Sequence, residues 1–302
     1  MIDLITDTAC DRGFDVAIST TISGISSALV IVHKTMMSKS MWHRLAVLKL
    51  RGCILVGDPL DGQFSPDDLR LFDAFFTASF RQADWLRLNL PTKPCHFVNQ
   101  RLDKRFPSSS QQSSAFSVGY FGAIENFLYK EVVSDIVDYI DTPTTDTDWM
   151  RKLPQYSAHY AVRPIQNDIF KPFGKGYIAS KYGAVLIVGR NEPDATYLLP
   201  SDYPYFVDES SSDTCMAVLN RARDEFGSSK WLYAINCLRG IDRHASDEKI
   251  LEQFFYAVAD IKKQLSSRKA REAFALWELC KYSILAFLRQ CRRIFSAICH
   301  KK

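Results

Sequence analysis

Short, continuous apolar runs recur along the chain, and polar residues follow each run. Between several of them lie segments with the apolar spacing of a helix, such as residues 42–49 and 66–72. Strands that are apolar on both faces need helices on both sides of a parallel sheet, so the pattern predicts an α/β protein. In the first third of the chain, strands are predicted at residues 15–19, 28–33, 53–57, 75–79 and 96–99.

A polar segment without periodicity, residues 105–114, separates this pattern from a second one. At 302 residues, the chain is long enough for two domains. We expect two Rossmann-like lobes, residues 1–106 with a shortened opening and residues 115–265. In the second lobe, strands are predicted at residues 116–121, 158–162, 185–188 and 205–207, and helices at 128–138, near 194–199, and at 214–226, 231–238 and 247–265.

Composition excludes several classes of protein. The eight cysteines form no C-x-x-C pair, which indicates reduced thiols rather than a disulfide framework or a zinc site. The net charge of +4 does not favour a nucleic-acid partner. The sequence shows no basic leader followed by an apolar run and no apolar stretch of membrane-spanning length, so we expect a cytoplasmic protein. Phosphate-loop, zinc-protease and serine-hydrolase motifs are absent, and no metal site is predicted.

The most informative segment is residues 163–188, which is predicted to run from a strand end through a loop into a helix and a buried strand. Lys171 and Lys175 flank the predicted start of the helix, and Pro172 suits its first turn. Free backbone N–H groups at a helix start bind phosphate, and Arg163 can bind it in a bidentate manner. A diphosphate site is therefore predicted here, and the alternative is a solvated helix with surface lysines.

This segment also carries a resemblance. Lys-Pro-Phe-Gly-Lys-Gly at 171–176, together with Val-Gly-Tyr-Phe-Gly at 118–122 and residues 159–163, 179–188 and 202–205, resembles the donor lobe of GT-B-fold glycosyltransferases. The chain is similar to the family 1/4-like C-terminal module of those enzymes over residues 115–262. The resemblance implies two Rossmann-like lobes facing a cleft.

The resemblance also implies an activity, namely metal-independent transfer of a sugar from a UDP- or GDP-linked donor to a glycan or lipid-linked acceptor in polysaccharide biosynthesis. Retaining members of this fold often carry two glutamates where this chain has Phe170 and Ile178, so their mechanism is not carried over. The residues placed at the donor by position are Gly119, Gly122, Arg163, Lys171, Pro172, Phe173, Lys175, Asn191 and Glu192.

The first lobe is expected to hold the acceptor and a general base near its hydroxyl. Asp58, Asp61 and His33 follow predicted strands and are the candidate catalytic bases. The alternatives are turn capping for the two aspartates and an interior position for the histidine. Lys34 and Arg81 are the candidate acceptor-binding residues, although Arg81 also suits the start of a surface helix.

Residues 268–302 have a strong helical pattern with one apolar and one basic face. This helix either packs on the protein or lies on an anionic membrane surface, which would make the protein peripheral at the inner face of a membrane. Because a fold does not fix a function, two alternatives to sugar transfer stay open. They are a sugar-nucleotide epimerase and a non-catalytic scaffold of the same fold.

Overall fold

The computed structural model describes residues 5, 8–9, 15–108, 113–142, 146–164, 169–208 and 211–265. These fall into two compact units. The four-stranded unit contains the described residues of Ile5–Thr77, Ala83–His96 and those from Phe255 onward, and the five-stranded unit contains those of Ala78–Gln82 and Phe97–Phe254. The predicted helix at 268–302 lies outside the described residues, and the domain boundaries drawn from the sequence stay predictions.

The four-stranded unit has a sheet of order β1-β2-β3-β4, in which β1 and β3 both pair with β2 in parallel. Four of the five strands predicted for this part of the chain are therefore confirmed. The strands are β1 (Leu29–His33), β2 (Ile54–Asp58), β3 (Ala74–Thr77) and β4 (Cys95–Phe97), and the helices are α1 (Trp42–Leu50) and α2 (Phe80–Asn89), with 3-10 turns at Lys34–Met36, Lys39–Met41 and Pro66–Leu69.

A buried ion pair reinforces the apolar core of this unit. Lys49 Nζ, at the end of α1, donates to Asp73 Oδ1 at 2.8 Å and to the carbonyl of Leu71 at 2.9 Å. The other carboxylate oxygen of Asp73 accepts from the backbone N–H of Leu55 in β2 at 2.9 Å. Since both charges are buried, each depends on the other for the interactions that water would otherwise supply.

Two predicted elements of this unit are wrong. Residues 15–19 form no strand, and Ile18 is 65% exposed, because no strand or helix among the described residues covers this short apolar run. The helix predicted at 66–72 is only a 3-10 turn at Pro66–Leu69. Ser65 and Asp68 form a reciprocal capping box around that turn, and β3 begins soon afterwards at Ala74.

The five-stranded unit has a parallel sheet of order β6-β5-β7-β8-β9. Helix α8 begins in this unit and contributes residues to both units. The strands are β5 (Val118–Phe121), β6 (Val137–Ile140), β7 (Ala158–Tyr160), β8 (Val185–Gly189) and β9 (Phe206–Val207), and the helices are α3 (Lys130–Val133), α4 (Gly174–Tyr182), α5 (Ala195–Leu198), α6 (Ser212–Asp224), α7 (Ser229–Leu238) and α8 (Asp247–Leu265), with 3-10 turns at Ile124–Asn126, Asp148–Gln155 and Ile241–Ala245.

The helix predicted at 128–138 is also wrong, because only α3 is helical and β6 follows it. Val133, Val137 and Ile140 are buried, and their spacing of four and three residues imitates one face of a helix. In the structure Val137 and Ile140 are instead the buried residues of an edge strand. The two residues between them, Asp138 and Tyr139, are exposed.

Helix α4 ends as the sequence predicts. Gly183 takes the left-handed conformation with φ 64°, and the N–H of Ala184 returns to the carbonyl of Ala179 at 3.0 Å. The chain then enters β8, whose five residues are all buried. The predicted α/β architecture of two Rossmann-like lobes is thus confirmed by two parallel sheets with helices. Within the described residues, no helix has the length and apolarity needed to cross a bilayer.

Candidate functional site

Helix α4 of the five-stranded unit begins without a side-chain cap. Its N-cap residue is Phe173, which has no side-chain oxygen to accept hydrogen bonds from the first amides of the helix. Two later helices are capped in the usual way, because Ser211 accepts from the N–H of Thr214 at 3.2 Å and Ser228 accepts from that of Trp231 at 3.3 Å, whereas α1, with Met41 at its N-cap, also lacks a side-chain cap. The start of α4 is therefore a place where an anionic group can bind backbone N–H groups.

Lys175 lies in the first turn of α4 and supplies a positive charge there. Its stem is partly exposed, but its Nζ is buried and has no hydrogen-bond partner among the described residues. The nearest aromatic ring is Tyr120, whose centroid is 3.8 Å from Nζ. Burial lowers the pKa of Lys175 to about 7, and the positive charges of Arg163 and Lys171 act in the same direction, whereas Glu192 opposes them.

Arg163, which follows β7, is bound to Glu192, which follows β8. Arg163 Nε donates to Glu192 Oε2 at 2.7 Å, and Arg163 Nη2 donates to Glu192 Oε1 at 2.5 Å. The side chains of this pair are 15% and 5% exposed. Since parallel strands β7 and β8 are neighbours, the loops after them bring these two residues together. The charge of Arg163 is thus compensated by a carboxylate, whereas Lys175 Nζ forms no such ion pair with any of the described residues.

These residues line one small cavity, open to solvent, at the start of α4. Its wall combines a buried ammonium, a paired guanidinium and apolar side chains, which suits an anion attached to a less polar group. The structure thus brings together five of the residues predicted at the donor. The lining residues are Ala161, Arg163, Pro172, Phe173, Lys175, Val188 and Glu192. Pro172 precedes the N-cap, so the prediction that it lies in the first helical turn is wrong.

The other predicted donor residues lie elsewhere. Gly119 is inside β5 rather than in a loop, and a Cβ added there would come within 2.9 Å of the ring of Tyr156, so its small size serves packing. Gly122 follows β5 and has φ 157°. Asn191 is exposed in the turn after β8, and Lys171 is half-buried two residues before the N-cap of α4. None of these four residues lines the cavity.

Sequence reasoning missed Tyr120 and Asp194 as parts of this region. Asp194 Oδ1 accepts from Ser79 Oγ at 3.0 Å and from the N–H of Arg81 at 3.2 Å, all within the five-stranded unit. Burial raises the pKa of Asp194 to about 6. Arg81 lies at the start of α2, and its guanidinium is 5.8 Å from the ring centroid of Phe170. Arg81 therefore belongs to the unit that holds Lys175, not to the lobe for which acceptor binding was predicted.

A second polar cluster lies at the carboxyl ends of β1 and β2 in the four-stranded unit. His33 and Asp58 are partners in the strand register, and Lys34 forms an ion pair with Asp61. Burial raises the pKa of Asp58, and the nearby charges of His33 and Lys34 oppose that rise. His33 is exposed, with Nδ1 3.2 Å from Thr35 Oγ1, so the interior alternative for this histidine is wrong. The four residues predicted in this lobe thus lie close together.

His159, inside β7, is a packing residue. It is buried in β7, and its Nε2 lies 3.2 Å from the carbonyl oxygen of Leu153. Burial lowers its pKa to about 4, so the ring is neutral near pH 7. In the described part of the chain, no group of three or more His, Cys, Asp or Glu residues is arranged to hold a metal ion.

Comparisons with known proteins identify the fold. No protein-family model and no curated protein sequence matches the chain. Solved structures do match: HepE of Anabaena, crystallised with UDP and glucose, has a TM-score of 0.57 and 11% identity over 76% of this chain and 78% of that chain. A glycosyltransferase from Rickettsia africae gives a TM-score of 0.52 with 8% identity over 88% and 81% of the two chains.

A third structure, a UDP-forming α,α-trehalose-phosphate synthase from Burkholderia vietnamiensis, gives a TM-score of 0.52 with 9% identity over 81% and 75% of the chains. At such identities the likeness concerns the arrangement of helices and strands rather than individual residues. The chain therefore has the two-lobe, Rossmann-like GT-B fold of these glycosyltransferases.

Proposed function

We propose that the chain is a glycosyltransferase that transfers a sugar from a nucleotide-diphosphate donor to a glycan or lipid-linked acceptor without an obligatory metal ion. The observation that carries this proposal is the buried ammonium of Lys175, which lacks a hydrogen-bond partner among the described residues and lies at an uncapped helix start. Solved structures of the same fold contain UDP or UDP-glucose, which supports a nucleotide donor.

The proposed role of the five-stranded unit is to hold the diphosphate. A diphosphate diester carries two negative charges, and the amides at the start of α4 and the Lys175 ammonium can interact with both phosphates. Phe173 and Pro172 form the apolar side of the cavity, beside Val188. Lys171 is proposed to add positive charge near the cavity, since it already acts on the pKa of Lys175. As sugar transfer releases a nucleoside diphosphate, these groups stabilise the charge on that leaving group.

The proposed role of the four-stranded unit is to bind and activate the acceptor. Asp58 is the preferred base, because burial raises its pKa towards the range in which a carboxylate can take a proton from a hydroxyl. His33, opposite in the register, is the second candidate. Asp61 is already bound to Lys34, so we propose that this ion pair shapes the site instead of taking the proton.

Calorimetric titration with UDP, GDP and UMP tests the donor site. We expect a nucleoside diphosphate to bind, and Lys175→Met to weaken binding by about tenfold or more, because a hydrogen bond to a charged group contributes about 1.5–3 kcal/mol. Lys181→Met is the matched control, since Lys181 lies in the last turn of the same helix. Failure of the wild-type protein to bind any nucleoside diphosphate at millimolar concentration would overturn the proposal.

Turnover separates the proposed transferase from its two alternatives. A transferase releases UDP or GDP from a nucleotide sugar when an acceptor is added, whereas an epimerase changes the sugar without releasing the nucleotide. A scaffold binds the donor and does neither. For a transferase, Asp58→Asn is expected to lower turnover at least a hundredfold while leaving donor affinity unchanged, as general base catalysis contributes about 10²–10⁴-fold. Unchanged turnover in this variant would exclude Asp58 as the base.

A further inference from the structure

Tyr120 in β5 is fully buried and fixed on two sides. Its hydroxyl donates to the carbonyl of Ala123 at 3.0 Å. Its ring stacks on that of Phe127, with the centroids 4.4 Å apart and the planes inclined by 8°. A parallel ring at that distance covers one whole face of Tyr120. Lys175 Nζ, 3.8 Å from the same centroid, must therefore lie on the opposite face.

The face of an aromatic ring carries negative electrostatic potential and attracts an ammonium group. Tyr120 can therefore stabilise the charged form of Lys175 although no carboxylate is bound to Nζ. Glu192, the acidic residue among the described ones that acts on the pKa of Lys175, has both carboxylate oxygens engaged by Arg163. Because the ring keeps its own place in the core, it can attract the ammonium without occupying the space that an anion would take.

We propose that Tyr120 is a positioning residue: the face of its ring holds the Lys175 ammonium at the start of α4, ready for an anionic ligand. The inference rests on the proposed function, which supplies a diphosphate as that ligand. It assigns the role to the ring rather than to the hydroxyl, which is already bound to Ala123. The same structure explains why Lys175 needs no acidic partner that a ligand would first have to displace.

The charged and titratable groups around Lys175 make a ring-specific test possible. Arg163 and Lys171 disfavour the charged ammonium, Glu192 favours it, and the buried imidazole of His159 is neutral near pH 7. None of these groups is altered by a change at Tyr120. The pKa of Lys175 therefore reports on the ring, and NMR of protein carrying ¹³C-labelled lysine can measure it, with the signal assigned through Lys175→Met.

Tyr120→Phe should leave both the pKa of Lys175 and the affinity for UDP close to the wild-type values, since the ring is kept. Tyr120→Leu should lower that pKa by about one unit and weaken UDP binding roughly tenfold, because the charged form loses the ring face. Phe127→Leu is the matched control: it removes an aromatic ring from the same stack without removing the face that Lys175 contacts. We expect it to leave the pKa of Lys175 unchanged.

Replacing Tyr120 by phenylalanines of increasing fluorine content keeps the shape of the core, so it serves even if Tyr120→Leu does not fold. Each added fluorine weakens the negative potential of the ring face, and the pKa of Lys175 should fall stepwise. A pKa that does not depend on fluorine content would overturn the proposal, as would a Tyr120→Phe variant as impaired as Tyr120→Leu. Because the NMR titration needs no nucleotide, failure of the wild-type protein to bind UDP would refute the proposed function while leaving this test intact.

Discussion

Two lysines of the described residues, Lys49 and Lys175, bury their ammonium groups in contrasting ways. Lys49, in the four-stranded unit, donates to Asp73 and to the carbonyl of Leu71, so its charge is compensated and hydrogen-bonded. Lys175, in the five-stranded unit, has an aromatic ring beneath Nζ and no hydrogen-bond partner among the described residues. Burying an unpaired charge lowers stability, so the second arrangement needs an explanation that the first does not.

This difference in pairing indicates which of the two lysines can bind a ligand. To bind Lys49, an anion would have to displace Asp73. The carboxylate of Asp73 would then be buried without its partner. An anion that binds Lys175 displaces no carboxylate of the described residues from Nζ. It also supplies the hydrogen bonds that the ammonium lost when it was buried. Of these two buried lysines, Lys175 alone lines the cavity at the start of α4. We therefore interpret Lys49 as a residue of the fold and Lys175 as a residue of the site.

The largest expected effect comes from breaking the pair in the fold. Lys49→Met leaves Asp73 buried without a counter-charge, and we expect the free energy of unfolding to fall by about 3–5 kcal/mol. Urea denaturation followed by circular dichroism measures this loss. The double variant Lys49→Met with Asp73→Leu should regain most of it, because neither charge is then buried. A loss below about 1 kcal/mol in the single variant would contradict the structural role.

The Arg163–Glu192 pair shares one property with each of the two lysines. Its charges compensate each other, as in the Lys49–Asp73 pair, and its residues line the cavity, as Lys175 does. Glu192→Gln keeps the shape of the side chain but leaves the Arg163 charge uncompensated, and we expect a loss of about 2 kcal/mol in the free energy of unfolding. Loss of Glu192 lowers the pKa of Lys175 further, but a bound diphosphate favours the charged ammonium. At pH 6 the extra positive charge in the cavity should therefore tighten UDP binding several-fold.

Calorimetry at that pH separates this expectation from the sequence-based prediction that Glu192 binds the donor directly. A contact of that kind would make Glu192→Gln weaken binding instead of tightening it. Glu225→Gln is the control, because Glu225 binds Tyr205 and Lys230 and does not line the cavity. It should leave UDP affinity unchanged.

The sequence predicted the elements that are buried as blocks and failed where burial is partial. Continuous apolar strands such as β2 and β8 are recognisable without a structure, because both their faces must be covered. Edge strand β6 was missed because its two buried residues, Val137 and Ile140, have a spacing that also fits a helix. The exposed run at residues 15–19 was overpredicted because a short apolar run does not reveal whether a neighbour covers it.

The candidate site was predictable as a set of residues and not as a set of contacts. Basic residues near a helix start and a glutamate after a buried strand pointed to Arg163, Lys175 and Glu192. Which partner each cation contacts depends on the side-chain conformations in a packed core. In the structure Arg163 binds Glu192, and Lys175 lies over Tyr120. Tyr120 gave no functional signal, because an aromatic residue inside a buried strand is the ordinary composition of a core.

The next prediction concerns the pH dependence of donor binding, which should follow the charge of Lys175. The pKa of Lys175 is lowered to about 7, so its ammonium is charged below that pH and increasingly neutral above it. A bound diphosphate favours the charged form, so affinity should be full below pH 7 and fall by up to about tenfold per pH unit above it. Titration with UDP-glucose between pH 6 and 8.5 measures this, since its diester phosphates do not titrate in that range.

In Lys175→Met the remaining weak affinity should not change over the same range. His159, with its pKa lowered to about 4, is already neutral over that range. An equally steep fall in affinity in Lys175→Met would show that another group titrates. Lys175 would then not be the ammonium that holds the donor.

The smallest expected effect is that of Lys175→Met on stability, and its sign is opposite to that of Lys49→Met. Removing a buried charge without a hydrogen-bond partner should raise the free energy of unfolding by about 1 kcal/mol at pH 6.

This effect should depend on pH. In the unfolded chain Lys175 keeps its proton up to the ordinary pKa of 10.5, whereas in the folded protein it loses the proton near pH 7. Wild-type stability therefore rises with pH between those values. The advantage of the variant should therefore shrink from pH 6 to pH 9 in urea denaturation, whereas Lys181→Met should stay within about 0.5 kcal/mol of wild type at both. A Lys175→Met protein as destabilised as Lys49→Met would mean that both lysines serve the fold, and the distinction between fold and site would be lost.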